Sequence, residues 1–189
     1  MQIWTGLGNP GPKHALHRHN IGFMAMDVIA DMHGFAPVQK KFSGWTQEGH
    51  IGSQKVLLLK PATYMNESGR AVGEALRFYK LNSENLTVFH DELDLAPFKV
   101  KVRRGGGLAG HNGLRSINQH LGPDFRRVRI GIGHPGHKDR VTGHVLGNYA
   151  KAEEDDLATM LGAIGAEAEW LASGDNARFM SDIALRMQE

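Results

Sequence analysis

The chain has no cysteine among its 189 residues. It therefore has no disulfide, no thiolate nucleophile and no cysteine-ligated metal, so its chemistry must come from other side chains. It also lacks any run near the roughly 18 apolar residues of a membrane span, and its first residues, MQIWTGLGNPG, lack the pattern of a signal peptide. These absences predict a cytoplasmic protein that does not span a membrane.

Composition predicts one globular domain over residues 1–189. Hydrophobic residues make up 41% of the chain and charged residues 22%, and no repeat or low-complexity linker divides it. The net charge of +2 is too small to indicate a nucleic-acid partner by itself. Basic residues do cluster at 99–104 and 126–129, so the distribution of charge is more informative than its total.

Hydrophobic periodicity predicts an α/β fold. The expected strands are 3–7, 56–60, 86–90, 98–103 and 127–132. The first expected helix starts after Asn20, which is placed to cap it, and stops near Gly34. The other expected helices are 69–80, 112–121, 152–173 and 176–187, with Gly174 as the stop between the last two. This alternation favours a single domain with a twisted, mixed central β-sheet flanked by α-helices on both faces.

The segment GLGNPG, from Gly6 to Gly11, matches the glycine pattern of dinucleotide-binding proteins. That fingerprint needs a helix directly after the glycine turn, but Pro10 and Pro12 follow here and helical spacing starts only near Ile21. The sequence therefore predicts no nucleotide cofactor. Asn9 in this turn either bonds its own backbone, as is common beside Pro and Gly, or faces a ligand at the end of a strand.

Polar residues follow several predicted strands, where ligands gather in open α/β sheets. They are Asn9, Asn66 and an acidic group, DELD, that begins at Asp91. His19 is the best candidate base, because a nearby helix N-terminus disfavours imidazolium and keeps the ring neutral. The alternatives are a half-buried surface histidine and a solvated acidic turn, and the spacing leaves open which carboxylate of DELD faces inward.

The segment FKVKVRRGGGLAGHNGLRSI indicates a phosphate-bearing partner. Lys101 and Arg103 alternate with apolar residues, so a strand places them on one face, although a solvated strand face explains the same pattern. Asn112 either caps the helix that follows or meets substrate there. The eleven histidines show no H-E-x-x-H spacing, so no metal site is predicted. Histidine, aspartate and amides without a serine or cysteine nucleophile suit hydrolysis by an activated water.

Six ordered segments resemble the bacterial-type peptidyl-tRNA hydrolase family: GLGNPG, RHNIGF, KPATYMNESG, HDELDL, GGGLAGHNGLRSI and RRVRIGIGHP. The resemblance implies cleavage of the ester between a peptide and the terminal ribose of tRNA, without a cofactor. The small size and single domain favour a monomer. The resemblance also implies His19 as the base and Asp91 as its orienting carboxylate. The other implied residues are Asn9, Asn66, Asn112, His14 and Tyr64 for substrate, and Lys101, Arg103 and Arg129 for tRNA phosphate. The segment 134–148 corresponds to a mobile lid.

The chain departs from the family in HALHRHN, where Tyr and Thr usually stand at the positions of His14 and His17. This leaves the base intact and adds imidazoles beside the site. The role of Arg18 stays open. A non-catalytic RNA-binding protein of the same fold is the main alternative function.

Overall fold

The computed structural model describes residues 1–188 and contains one mixed β-sheet. Its strands are β1 (Gln2–Gly6), β2 (Gln39–Lys41), β3 (Gly44–Ile51), β4 (Gln54–Pro61), β5 (Leu86–Glu92), β6 (Val100–Arg104) and β7 (Arg126–Gly131). They lie in the order β2-β3-β4-β1-β5-β7-β6. The central strands β4, β1, β5 and β7 are parallel, and β2, β3 and β6 pair antiparallel with their neighbours.

Helices cover both faces of the sheet, which confirms the predicted α/β class. They are α1 (Ile21–Met32), α2 (Ser68–Tyr79), α3 (Asn112–Leu121), α4 (Val141–Val145), α5 (Glu154–Ala166), α6 (Ala168–Ser173) and α7 (Asn176–Met187). One core contains Trp4 and Phe89 and packs with α1, α5, α6 and α7. The other contains Leu57 and Val88 and packs with α2 and α3. No helix within residues 1–188 is long and apolar enough to cross a membrane.

Two glycines bring the start of α1 close to the sheet. A methyl group added at Gly22 would overlap the backbone of Leu7 and Phe89, and one at Gly6 would overlap the Gly22 carbonyl. Only glycine permits such an approach of backbone to backbone. The first turn of α1 therefore rests on the ends of β1 and β5, and this contact sets the height of His19 above the strand ends.

The structure adds one element to those predicted and corrects two. The hairpin β2-β3 was not predicted, because β2 is exposed and polar and β3 carries mainly polar residues and glycine. The predicted helix 152–173 breaks at Glu167 (φ −98°, ψ 6°), and the turn there directs α6 into the core. The Glu167 carboxylate accepts a 2.7 Å hydrogen bond from Arg186 of α7. The strand predicted at 98–103 begins later, at Val100, because Phe98 takes a positive φ of 68°.

Candidate active site

Three side chains from separate segments meet where β5 ends. His19 comes from a short 3-10 turn directly before α1, Asp91 from β5, and His111 from the residue before α3. Nδ1 of His19 lies 2.8 Å from Oδ2 of Asp91, and Nε2 of His111 lies 2.8 Å from Oδ1. The Asp91 side chain is only 2% exposed, so both of its oxygens are satisfied by imidazole donors in place of water.

The hydrogen bonds of His111 fix the protons of both rings. Nδ1 of His111 accepts the backbone N–H groups of Gly113 (3.1 Å) and Leu114 (3.3 Å), so His111 caps α3 and carries its proton on Nε2, which donates to Asp91. The other carboxylate oxygen accepts the Nδ1–H of His19. Nε2 of His19 is thus left as the basic nitrogen, on a ring that is 12% exposed.

The charges of this group reinforce one another. Burial lowers the pKa of His19, but the charge and hydrogen bond of Asp91 outweigh burial and raise it above the usual value. Burial by itself would raise the pKa of Asp91. The charges and hydrogen bonds of His19 and His111 outweigh burial and hold this pKa well below its usual range. From the sequence we expected the helix N-terminus to disfavour the charged imidazolium of His19. In the structure the carboxylate of Asp91, at 2.8 Å, stabilises that charge and raises the pKa.

Sequence reasoning missed His111, and GHN at the start of a predicted helix was the signal that could have found it. Of the two roles left open for Asn112, helix cap or substrate contact, the structure excludes the first, because Asn112 lies one residue inside α3 and His111 is the cap. The adjacent His90 has a structural role. Its Nδ1–H donates to the Asp91 carbonyl at 2.9 Å, and burial, helped by His111, lowers its pKa to about 3, so that it stays neutral.

His19, Asp91 and His111 also offer ligand atoms within 4.8 Å of one another, a grouping that can hold a metal ion and that the sequence did not reveal. Each nitrogen that faces the carboxylate carries the proton of a hydrogen bond, and Nδ1 of His111 is occupied by backbone donors. An ion would have to displace this network. The prediction of a site that works without metal stays a prediction, and it rests on that competition.

Asn9 is held in one orientation by its neighbours. Its Oδ1 accepts the Met65 N–H at 2.8 Å, its backbone N–H donates to Oδ1 of Asn20 at 3.0 Å, and its carbonyl accepts from Nδ2 of Asn20 at 2.9 Å. Asn20 occupies the N-cap position of α1, as predicted, but its side chain makes no cap hydrogen bond and spans the Asn9 backbone instead. Nδ2 of Asn9 makes no hydrogen bond to residues 1–188 and is available as a donor.

The consecutive residues His19 and Asn20 line two different clefts. The first, the His19 cleft, has a volume of about 490 Å³ and is lined by His19, Asp91, His111 and Asn112 among others. The second, the Asn9 cleft, has about 310 Å³ and is lined by Asn9, Asn20, Phe23 and Trp45 among others. The structure thus brings His19, Asp91 and Asn112 together and places Asn9 beside them.

The remaining predicted substrate residues lie outside the walls of these two clefts. Tyr64 is 66% exposed, and Asn66 is exposed on the same loop, next to the Met65 N–H that bonds Asn9. His14 is half-buried in the turn before His17. Their part in substrate binding stays a prediction.

The predicted phosphate-binding residues form a stripe on two paired strands. Lys101 lies opposite Arg129 in the β6-β7 ladder, and Arg103 is two residues further along the same face. Lys101 and Arg103 are exposed, whereas Nε of Arg129 donates to Glu92 at 3.0 Å. Glu92 also lines the His19 cleft, so this basic stripe begins at the cleft wall. There the positive charge of Arg129 is already paired with the Glu92 carboxylate.

The segment 134–148 forms another wall of the His19 cleft through His134, Lys138 and the short helix α4. Arg18, whose role the sequence left open, ties its end to the segment that carries His19. The Arg18 backbone N–H donates to the Gly147 carbonyl at 2.9 Å, and its guanidinium donates to the His144 carbonyl and to Glu153.

The fold and the site together define an α/β protein with a histidine–aspartate acid–base group at the carboxyl edge of its sheet, in clefts whose described lining contains neither serine nor cysteine. The family model for peptidyl-tRNA hydrolase matches residues 3–189. The chain is 80% identical over 188 residues to the peptidyl-tRNA hydrolase of Erythrobacter litoralis, with 100% of both chains covered. It is 76% identical to that of Novosphingobium aromaticivorans, with 100% of this chain and 98% of that one covered.

A solved structure agrees with these relatives. The crystal structure of peptidyl-tRNA hydrolase from Acinetobacter baumannii matches with a TM-score of 0.90 and 40% identity, covering 97% of this chain and 94% of that one. This chain therefore belongs to the peptidyl-tRNA hydrolase family. The resemblance inferred from its motifs is confirmed.

Proposed function

We propose that this chain hydrolyses the ester between a peptide, or an N-blocked amino acid, and the 3′-terminal ribose of tRNA, and so frees the tRNA for translation. Family membership supports the substrate class. The observation that carries the mechanism is the hydrogen-bonded series His111–Asp91–His19, which leaves Nε2 of His19 as a base at the cleft wall.

His19 acts in this mechanism first as base and then as acid. Nε2 takes a proton from water while the water oxygen attacks the ester carbonyl carbon. The tetrahedral intermediate then collapses, its bond to the ribose oxygen breaks, and His19 returns the proton to that oxygen. The products are a tRNA with a free hydroxyl and a peptide carboxylic acid, which carries the second proton of the water and releases it to solvent near neutral pH. Asp91 stabilises the imidazolium in between, consistent with the raised pKa of His19.

Amide groups stabilise the developing oxyanion. The Asn9 amide is the best oriented, because Oδ1 is fixed by the Met65 N–H and Nδ2 is left to donate. Asn112 offers a second amide inside the His19 cleft, and Asn66 a third from the exposed loop beside Asn9. His14 and Tyr64 contact the substrate further out.

The basic stripe binds tRNA phosphates. Lys101 and Arg103 are exposed and share one strand face with Arg129, so a backbone laid along β6 meets several cations in succession. Segment 134–148 closes over the bound acceptor end. No cofactor or metal takes part, and we expect the protein to be monomeric and cytoplasmic.

The test is release of free tRNA from an N-blocked aminoacyl-tRNA, in buffer with EDTA, by the wild type, His19→Ala and His50→Ala. His50 is exposed on β3, away from the cleft residues, and controls for loss of a histidine. We expect a fall of roughly 10²–10⁴-fold in turnover for His19→Ala alone. Unchanged turnover in that variant would remove the base assignment. RNA binding without cleavage by the wild type would instead favour the non-catalytic RNA-binding function.

A further inference from the structure

Two histidines outside the His19–Asp91–His111 group point their rings at each other. His14 ends the 3-10 turn Pro12–His14, and His17 directly precedes the turn Arg18–Asn20. Their Nδ1 atoms are 3.4 Å apart, and the ring planes are inclined at 79°. Both residues are half-buried, so solvent reaches the pair.

The backbone holds this histidine pair in place. The His17 N–H donates to the His14 carbonyl at 3.0 Å, which closes a turn between them. His17 also pairs with Asn148 in an isolated antiparallel bridge, next to the hydrogen bond from Arg18 to Gly147. Binding of a ligand to both rings therefore costs little conformational entropy, because the backbone of this segment is already ordered.

The separation of the two nitrogens identifies a suitable ligand. A direct hydrogen bond between ring nitrogens is weak at 3.4 Å, beyond the usual range of about 2.7–3.2 Å. Tetrahedral Zn²⁺ has bonds to imidazole nitrogen of about 2.0–2.1 Å, which places two such nitrogens about 3.3–3.4 Å apart. With similar bond lengths, a square-planar ion needs them about 2.8–3.0 Å apart.

We propose that His14 and His17 chelate one Zn²⁺ ion through their Nδ1 atoms, with two coordination positions left open for water or a phosphate oxygen. Two protein ligands make this a weaker site than a four-ligand structural zinc site, and the neighbouring Lys13 weakens it further. The ion lies at the rim of the Asn9 cleft, because Ala15, between the two histidines, lines that cleft. This inference does not depend on the proposed esterase activity.

The test is calorimetric titration of the full-length protein with Zn²⁺ at about pH 7.5, where most imidazoles are neutral. The variants are His14→Tyr and His17→Thr, which restore the residues usual in the family. We expect one Zn²⁺ per wild-type chain, no binding of Mg²⁺, and affinity at least about tenfold lower in each variant, because each loses one of two protein ligands.

A second measurement separates this pair from the other histidine group. Co²⁺ in place of Zn²⁺ gives strong visible absorption in a tetrahedral site, and we expect this signal to vanish in His14→Tyr and to persist in His111→Asn. Zinc affinity that survives in both His14→Tyr and His17→Thr but is lost in His111→Asn would assign the ion to the Asp91 group and overturn the proposal. So would the absence of zinc binding by the wild type.

Discussion

Replacement of Asp91 by asparagine tests whether the carboxylate sets the proton position on His19. The change keeps the shape of the side chain and removes its charge. His111 decides how the new amide turns, because its Nδ1 is held as an acceptor by two backbone N–H groups and its Nε2 must therefore donate. The amide oxygen consequently stays with His111.

The amide NH₂ group then faces Nδ1 of His19. A donor at this position favours the tautomer with its proton on Nε2, which is the nitrogen that should act as base. Asp91→Asn thus leaves the geometry nearly intact and blocks the chemistry. We expect turnover to fall by about 10²–10⁴-fold, equivalent to about 2.7–5.4 kcal/mol in the barrier.

The pH profile gives an independent readout of the same variant. Asp91 raises the pKa of His19, so in the wild type activity is lost as pH falls through that raised value and His19 becomes protonated. Without the charge the pKa of His19 drops, so the acid limb of kcat/KM should move to lower pH even as the plateau falls. Release of tRNA measured across pH would check both effects. A plateau within a few-fold of the wild type, or an acid limb that moves upward, would refute the assignment of Asp91.

Four further changes probe the surrounding structure. Gly22→Ala should lower stability by about 1–3 kcal/mol, because its methyl overlaps strand backbone, and an unchanged Tm would contradict this. Arg103→Ala should weaken tRNA binding and reduce the slope of log affinity against log salt concentration by about one, at unchanged stability. Arg129→Ala should also lower the free energy of unfolding by about 1–3 kcal/mol, because Glu92 loses its partner. Filter binding measures the first effect and urea unfolding the second. His14→Tyr should keep tRNA release within about tenfold, since a packing contact contributes roughly 1–1.4 kcal/mol to the barrier, and a collapse of turnover would show a larger role.

The sequence predicted the parallel core of the sheet and most helices because those elements are buried on one side or both. Strand β5 is buried along its whole length, and its apolar residues Leu86, Val88 and Phe89 precede its acidic end. The hairpin β2-β3 was not predicted, because the edge strand β2 is fully exposed and β3 contains few apolar residues. The break at Glu167 was equally hidden, since it depends on a distant partner, Arg186.

Candidate site residues were found where a local signal existed. His19 and Asp91 each lie beside a recognisable helix start or strand end, and the structure joins them directly. The GHN segment could have placed His111 at the start of α3, but its bond to Asp91 joins residues distant in sequence. The bond between Asn20 and Asn9 is also absent from any local pattern. Helix-cap statistics favour asparagine at both helix starts. The Asn20 side chain bonds the Asn9 backbone instead, and His111 in place of Asn112 caps α3.

Alternation along β5 explains how adjacent carboxylates serve different purposes. Consecutive strand residues face opposite sides of a sheet, so Asp91 and Glu92 turn apart. Glu92 pairs with Arg129 in the basic stripe, while Asp91 accepts one ring from the segment before α1 and another from the segment before α3. These two helices lie on opposite faces of the sheet. The base is therefore oriented only when both layers are docked, and a change that loosens either layer should cost activity before the chain unfolds.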